Sequence, residues 1–161
     1  MSKSNSGLFK GTKGYNVYSG STDYMDKDDS FSKFIKKRKD IDENGYYDFI
    51  AHGTENTIQV RHNGKLILVD HRTAAKLFKQ DSKYPGEAIR LISCDTGSSA
   101  NGFAQSLANK LNVIVEAPTK PVWVTSKGKH FVADRRKDNP DLPDLSRKGK
   151  FIKFYPGGKK K

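Results

Sequence analysis

The amino-acid sequence predicts an α/β fold, with one domain, a mostly parallel central sheet, flanking helices, and a C-terminal β-hairpin and edge strand. Short apolar segments alternate with segments whose apolar residues recur at helical spacing, which is the order of strand–helix–strand units. Two apolar segments end in a reactive side chain, His52 and Cys94, and each is followed by a glycine-containing turn. The 161-residue length suffices for one buried core. We expect residues 1–14 to form a flexible leader, residues 15–158 the α/β domain and residues 159–161 a basic tail.

The first third of the chain predicts a strand, a helix and a second strand. Residues 15–19 have the composition of a short strand. Residues 31–35 carry apolar side chains at helical spacing, and Asp28-Asp29-Ser30 before them are N-cap residues. Residues 46–51 then form an apolar strand that ends at His52-Gly53.

The middle of the chain predicts a hairpin followed by a helix. Asn63-Gly64 lies between two short β-rich segments, residues 57–60 and 65–69, and this arrangement is a strong hairpin signal. Apolar residues within 74–78 then mark one face of a helix of about three turns, which Tyr84-Pro85-Gly86 ends.

The last part of the chain begins with the second strand that ends in a reactive side chain. Residues 88–93 are apolar and lead into Cys94-Asp95-Thr96-Gly97, after which a helix is expected to begin near Asn101. The remaining predicted elements are a strand at 112–115, a turn at 118–121, a hairpin of 122–124 with 130–133, a polar loop at 138–143 and a closing edge strand at 151–155.

The charge of the chain is strongly basic and uneven. The formal net charge is +12, and residues 127–161 contain 12 Lys and Arg against 4 Asp. Such a region can bind nucleic acid, an acidic partner or an anionic membrane surface, or it can simply be a solvated end. No apolar segment approaches the roughly 18 residues needed to span a bilayer.

The cysteine and histidine content argues against a disulfide and against a structural metal site. Cys94 is the only cysteine, so no internal disulfide can form. The chain has four histidines and no CxxC or paired histidines at zinc-ligand spacing. The sequence therefore predicts neither a metal nor another cofactor.

His52 and Cys94 together predict a catalytic dyad. Each residue alone is more simply explained as a packed or surface side chain. Because both follow apolar strands, and the carboxyl ends of parallel strands meet at one edge of a sheet, we expect the imidazole and the thiol to lie close together. A thiol with an ordinary pKa near 8.5 is mostly protonated at neutral pH, so a nucleophilic cysteine needs a base such as His52.

Backbone N–H groups near the dyad predict an oxyanion hole. Gly53 lacks a side chain, so its N–H can approach a substrate carbonyl together with the N–H of Cys94. The N-terminus of the helix near Asn101 could add a positive dipole end toward the Cys94 loop.

The segments Phe49-Ile50-Ala51-His52-Gly53 and Ser93-Cys94-Asp95-Thr96-Gly97 resemble the caspase-like cysteine peptidases. The Ser-Cys-x-Thr-Gly form is similar to the CHAT branch, and the layout is similar to the self-processing peptidase domains of large bacterial toxins. The resemblance covers roughly residues 46–125, and His52 precedes Cys94 by roughly 40 residues, near the roughly 50 of the caspase signature. It implies a caspase-like fold and a cysteine endopeptidase with Cys94 as nucleophile.

A second resemblance concerns the whole chain. Asn101-Gly102-Phe103-Ala104-Gln105 and Val122-Trp123-Val124, with the small size and basic ends, resemble the C-terminal toxin modules of polymorphic bacterial toxins. This implies an effector domain secreted or delivered as part of a larger bacterial protein, acting on protein or peptide substrates in the cytoplasm of a target cell and facing an acidic immunity protein. It also implies substrate binding by Trp123, beside the loop residues Asp95, Thr96 and Gly97.

Two other function classes stay open from sequence. A basic nuclease or nucleic-acid-binding toxin domain would use the basic C-terminal region on phosphates, His52, His62 or His130 as a base, and Asp48 or Asp70 on a metal. A non-catalytic binding module would keep the scaffold without the chemistry. Against the nuclease, the chain has no paired-acid or His-Asn-His pattern at usable spacing.

Overall fold

The computed structural model describes residues 16–18, 20–26, 28–38, 45–81 and 83–158. The predicted leader, residues 1–14, and the predicted basic tail, residues 159–161, lie outside these ranges. None of the helices in the described ranges is long and apolar enough to cross a membrane.

The described elements alternate between strands and helices. The strands are β1 (Asn16–Tyr18), β2 (Ser21–Asp23), β3 (Tyr47–Ile50), β4 (Ile58–His62), β5 (Lys65–Val69), β6 (Ile89–Ile92), β7 (Val115–Pro118), β8 (Val122–Val124), β9 (His130–Arg135), β10 (Pro143–Lys148) and β11 (Phe151–Phe154). The helices are α1 (Ser30–Ile35), α2 (His71–Lys79) and α3 (Phe103–Leu111), and a 3-10 turn follows at Pro156–Gly158.

Among the described residues, the strands form one central sheet and two small ones. The central six-stranded sheet has the order β1-β2-β3-β6-β7-β11. Strands β2, β3, β6 and β7 are parallel to their neighbours within this group, whereas β1 and β11 pair antiparallel at the two edges. Strands β8, β9 and β10 form an antiparallel sheet, and β4 and β5 form a hairpin. The predicted α/β class and mostly parallel sheet are confirmed.

The register of β3 and β6 brings the two reactive strand ends together. Ile50 pairs with Ile92 in a parallel ladder. His52 and Cys94 each lie two residues beyond their paired isoleucine, so both emerge at the same edge of the sheet. All four residues of β3 and all four of β6 are buried, as expected for parallel strands covered on both faces.

The two faces of the central sheet pack against different layers. Alternate residues Tyr47 and Phe49 join the larger apolar core that contains α2, α3 and the β4–β5 hairpin. Ile50 and Ile92 join a smaller core with residues of α1, β8 and β9. We call these the α2–α3 face and the α1–β8 face.

Several local predictions agree with the structure. The Asn63-Gly64 hairpin is present, with φ of 51° and 80° at its two turn residues. Helix α2 begins after the N-cap Asp70, whose carboxylate accepts from Thr73 N at 3.0 Å. The predicted β8–β9 hairpin and the closing edge strand β11 are also present.

Other elements differ from the sequence prediction. The strand expected at 112–115 lies at Val115–Pro118, because Asn112 adopts the left-handed conformation with φ of 57° and ends α3. The polar segment after 143, which carried no strand prediction, forms the edge strand β10. Strand β2 was not predicted either, since Ser21-Thr22-Asp23 is polar although fully buried.

Candidate functional site

His52 and Cys94 line one pocket of about 190 Å³ at the carboxyl edge of the central sheet. The pocket lies on the α1–β8 face and its walls are mainly apolar. Its lining residues are Met25, Phe31, Ala51, His52, Ile92, Cys94, Pro121, Val122, Trp123 and Arg135. The structure therefore brings together the two residues of the predicted dyad.

The Cys94 thiol is mostly buried against the backbone of Val122. The Val122 N–H donates to Sγ at 3.4 Å, and Sγ lies 3.9 Å from the Val122 carbonyl oxygen, to which the thiol donates. Burial raises the pKa of the Cys94 thiol above its ordinary value. The thiol is consequently protonated at neutral pH, so reaction at Sγ requires a base that takes its proton.

His52 forms a short hydrogen bond with a carboxylate that sequence reasoning did not assign to the site. Its Nε2 lies 2.6 Å from Asp29 Oδ2, and the side chains are 47% and 25% exposed, respectively. The other oxygen, Asp29 Oδ1, accepts from Phe31 N at 2.9 Å and caps helix α1. With Nε2 hydrogen-bonded to the carboxylate, Nδ1 is the ring nitrogen left for proton transfer.

Gly53 packs tightly against the loop that contains Cys94. A Cβ at Gly53 would lie 2.9 Å from the Cys94 carbonyl oxygen and 2.9 Å from Thr96 Cγ2, so only glycine fits without movement. Gly53 lies opposite Ile58 in an isolated antiparallel β-bridge. The two hydrogen bonds of the bridge come from the flanking residues: Gln59 N donates to His52 O, and Thr54 N donates to Thr57 O. The Gly53 N–H is outside that pair of bonds. Its assignment, with Cys94 N–H, to an oxyanion hole stays a prediction.

The residues after Cys94 shape the loop more than the pocket lining. Asp95 has a φ of 63°, a left-handed conformation that turns the chain directly after the thiol. Thr96 is buried and donates from Oγ1 to Ser93 O at 2.9 Å, and Gly97 N donates to Pro118 O at 2.8 Å. Burial raises the pKa of the half-buried Asp95 carboxyl. Of the four predicted substrate-binding residues, only Trp123 lines the pocket.

The N-terminus of α3 supports the two loops of the site. Its first N–H groups, at Phe103 and Ala104, donate to Glu55 O at 2.8 Å and to Thr96 O at 3.1 Å. These bonds tie the segment after His52 to the segment after Cys94. This helix end therefore has a structural role, and its role as a positive dipole directed at Cys94 stays a prediction.

Trp123 and Arg135 form the outer wall of the pocket. Trp123 Nε1 donates to Ala133 O at 2.9 Å, and the Arg135 guanidinium lies 5.8 Å from the centre of the indole ring. Arg135 had no sequence signal that placed it here, because it lies beyond the predicted hairpin strand, in a basic stretch with other arginines.

The residues proposed for a nuclease site do not converge. The Asp48 carboxylate is buried between Arg90, at 2.7 Å, and Arg38, at 3.2 Å, and Asp70 caps α2. His130 packs edge-on against Phe151, away from the pocket lining. Within the described part of the chain, no group of three or more His, Cys, Asp or Glu side chains could hold a metal ion.

One protein family matches this chain. Its model, described as a domain of unknown function (DUF8616), matches residues 20–132, which is most of the chain, so the chain belongs to that family. The matched segment contains Asp29, His52, Cys94 and Trp123. No curated protein and no solved structure matches the chain.

Proposed function

We propose that this member of the DUF8616 family is a cysteine-nucleophile hydrolase in which Cys94 attacks, His52 transfers protons and Asp29 orients His52. The observation that carries the proposal is the 2.6 Å hydrogen bond in which Asp29 Oδ2 accepts from Nε2 of His52, a residue that lines the same pocket as Cys94. A nucleophile, a base and a group that orients the base are the three parts that this chemistry requires.

The raised thiol pKa favours a general-base mechanism over a preformed thiolate. His52 takes the thiol proton as Sγ bonds to the substrate carbonyl carbon, and the carbonyl electron pair moves to its oxygen. The Gly53 and Cys94 N–H groups would hold that oxyanion. Collapse of the intermediate breaks the bond to the leaving group, which receives the proton from His52. The Asp29 carboxylate stabilises the imidazolium between the two transfers.

Water then releases the acyl group. His52 takes a proton from the water as its oxygen attacks the thioester carbonyl, and the second intermediate collapses to a carboxylic acid and the Cys94 thiol, which regains its proton from His52. The resemblance to caspase-like peptidases favours a peptide bond as the substrate. We therefore propose a cysteine endopeptidase that acts as a bacterial toxin or effector domain.

Alkylation of Cys94 by iodoacetamide, read by intact mass across pH, tests the assignment. Cys94 is the only cysteine, so a single mass increment reports on it alone. We expect labelling of the folded protein at pH 7 to slow about tenfold or more in His52→Ala, because the base is removed. His62→Ala is the matched control and should label like the wild type. Labelling only after unfolding, or equal rates in all three proteins, would refute the dyad.

Hydrolysis is tested with Cys94→Ala and His52→Ala. Both changes remove few atoms at a partly exposed pocket, so the proteins should fold normally by circular dichroism. Each should lose cleavage of a mixture of unstructured proteins, read as newly formed N-termini. Full activity in either variant would contradict the assignment.

A further inference from the structure

Five exposed lysines lie together where helix α1 meets the turn between β8 and β9. We call Lys33, Lys36, Lys37, Lys127 and Lys129 the lysine cluster. The first three lie at the C-terminal end of α1: Lys33 is in its last turn, Lys36 is its C-cap and Lys37 follows the cap. The turn packs on the end of the helix. Lys37 Nζ donates to Ser126 O at 3.4 Å, and Gly128, with φ of 89°, approaches the Lys37 backbone so closely that a Cβ would lie 2.5 Å away.

The lysine cluster carries charge that the described protein does not neutralise. None of its five ammonium groups has a carboxylate ion-pair partner among the described residues. Part of the basic C-terminal region is neutralised internally, since Arg136 pairs with Asp138, and Arg147 pairs with both Asp134 and Asp144. The lysine cluster joins Lys127 and Lys129 of that region to three lysines at the end of α1, and so places positive charge beside two elements that line the pocket of Cys94.

Both elements of the lysine cluster lead away from the pocket of Cys94. Phe31 of α1 and Trp123 of β8 line that pocket. Lys36 lies five residues along the helix from Phe31, a rise of roughly 8 Å. Lys127 lies four residues beyond Trp123, inside the turn that the hydrogen bond from Gly128 N to Thr125 O closes at 2.9 Å. An extended peptide covers about 10 Å in three residues.

We infer that the ligand of this surface is an acidic polypeptide, whose carboxylates bind the lysine cluster about three residues away from the group held at Cys94. The distance of the bound carboxylates from the bond that Cys94 attacks rests on the proposed function. The binding of an acidic polypeptide to the lysine cluster does not depend on that function. Nucleic acid fits less well. The cluster has no exposed arginine to bind phosphates bidentately, and its aromatic ring, Phe34, is half-buried beneath Lys37 and cannot stack on bases.

Binding is measured first, on Cys94→Ala, so that no chemistry is involved. The probes are fluorescent peptides ending in five Glu or five Gln, read by anisotropy. The triple variant Lys36/Lys127/Lys129→Gln should bind the Glu peptide about tenfold more weakly. The control triple Lys65/Lys76/Lys79→Gln has the same net charge and alters exposed lysines of β5 and α2, on the other face of the sheet, so its affinity should change less than about twofold.

Three results would overturn the inference. The two triple variants could lose affinity equally, which would make binding a matter of net charge. The Gln peptide could bind as tightly as the Glu peptide. A single-stranded oligonucleotide of equal charge could bind more tightly than the Glu peptide and depend on the cluster, which would assign the surface to nucleic acid.

Tethered alkylation then locates the surface relative to Cys94. The probes are chloroacetyl peptides with one, three or six residues between the chloroacetyl group and a Glu or Gln tail. Labelling of the protein that retains Cys94 is followed by intact mass. We expect the Glu tail to accelerate labelling most with three residues, and the acceleration to disappear in the cluster triple. Fast reaction with iodoacetamide but no tail effect would refute the inference alone. No reaction with iodoacetamide would refute the proposed function and leave the binding result to stand by itself.

Discussion

The two faces of the central sheet differ in what they bury. The α2–α3 face is apolar and aromatic, with Phe49 stacked on Phe78 at 3.7 Å between ring centres. The α1–β8 face buries ionised or ionisable groups beside its smaller apolar core, among them Asp23, Asp48 and Arg90. The pocket of Cys94 is on this second face. The difference indicates that the larger apolar core and the proposed site lie on opposite sides of the same strands.

Consecutive residues of β3 show the contrast most directly. Phe49 enters the aromatic stack, while Asp48 accepts two hydrogen bonds from Arg90, at 2.7 and 2.8 Å, and one from Arg38. A buried ion pair contributes little net stability, because desolvation offsets the attraction, but it fixes geometry and is costly to break. Among the described residues, the α1–β8 face therefore contains a buried, defined arrangement of charges that the α2–α3 face lacks.

Phe49→Ala tests the apolar face and should have the largest effect on stability. Removing a fully buried ring from the stack leaves a cavity, and we expect the free energy of unfolding to fall by about 4 kcal/mol. Urea denaturation measures the loss. Because no charge is involved, the loss should be the same at 0.05 and 0.5 M salt. A loss below about 1 kcal/mol would show that the stack is not the main source of stability.

Asp48→Asn tests the charged face at the adjacent position. The change is nearly isosteric, but it leaves two guanidinium groups without their buried carboxylate, so we expect a loss of about 3 kcal/mol. Urea denaturation is again the measurement. The matched control Asp70→Asn, at an exposed helix cap where Asn is as good as Asp, should lose less than about 0.5 kcal/mol. Equal losses would mean that burial of Asp48 is not the cause.

Asp23→Asn should sharpen the comparison through its pH dependence. Burial raises the pKa of Asp23 to about 6, so the folded protein retains this proton in a range where the unfolded chain, near 3.8, has lost it. The folded state then binds more protons, and stability falls as pH rises from about 4 to about 6. The free energy of unfolding of Asp23→Asn, relative to that of the wild type, should therefore rise by on the order of 2–3 kcal/mol between pH 4 and pH 7.

The measurement is a set of urea melts of both proteins at half-unit pH steps. Asn can still accept from Met25 N and donate to the Ser32 hydroxyl, so the local contacts are preserved. A flat difference across this range would show that Asp23 titrates normally and that the face around it is better hydrated than its burial indicates.

Asp29→Asn should have the smallest effect on stability and a clear effect on the thiol. Asn caps helices as well as Asp, so we expect a loss below about 0.5 kcal/mol. Its amide cannot stabilise an imidazolium, so iodoacetamide labelling of Cys94 at pH 7 should slow by about tenfold. Asp26→Asn, a carboxylate on the same loop that pairs with Arg61, is the control. Equal labelling rates in the two variants would show that Asp29 does not assist His52.

The sequence predicted the elements whose pattern is local. The β4–β5 hairpin followed from Asn63-Gly64, and helices α2 and α3 followed from apolar residues at helical spacing. The convergence of His52 and Cys94 was predictable because both terminate neighbouring parallel strands, and the edge at which such strands end is fixed by their direction.

The rest depends on tertiary contacts that no local pattern encodes. Strand β2 is buried although it is polar: Thr22 Oγ1 hydrogen-bonds to the Tyr47 hydroxyl and Asp23 accepts from the Ser32 hydroxyl, while Ser21 Oγ is buried without a hydrogen-bond partner in the described part of the chain. Asp29 was recognisable as a helix cap, but its bond to His52 joins residues 23 positions apart through the docking of α1. Arg135 reaches the pocket only because β9 folds back on β8.

The two carboxylate oxygens of Asp29 link the folding of the short helix α1 to the orientation of the His52 imidazole. One oxygen caps α1 and the other holds His52, so fraying of this six-residue helix releases both at once. So short a helix is among the first segments to open in local fluctuations, well before the parallel strands separate. On warming, amide protons of α1 should exchange early, and the active arrangement should be lost at a lower temperature than the sheet. The thermal limit of the proposed activity is then set by α1, while the thermal limit of the fold is set by the aromatic stack.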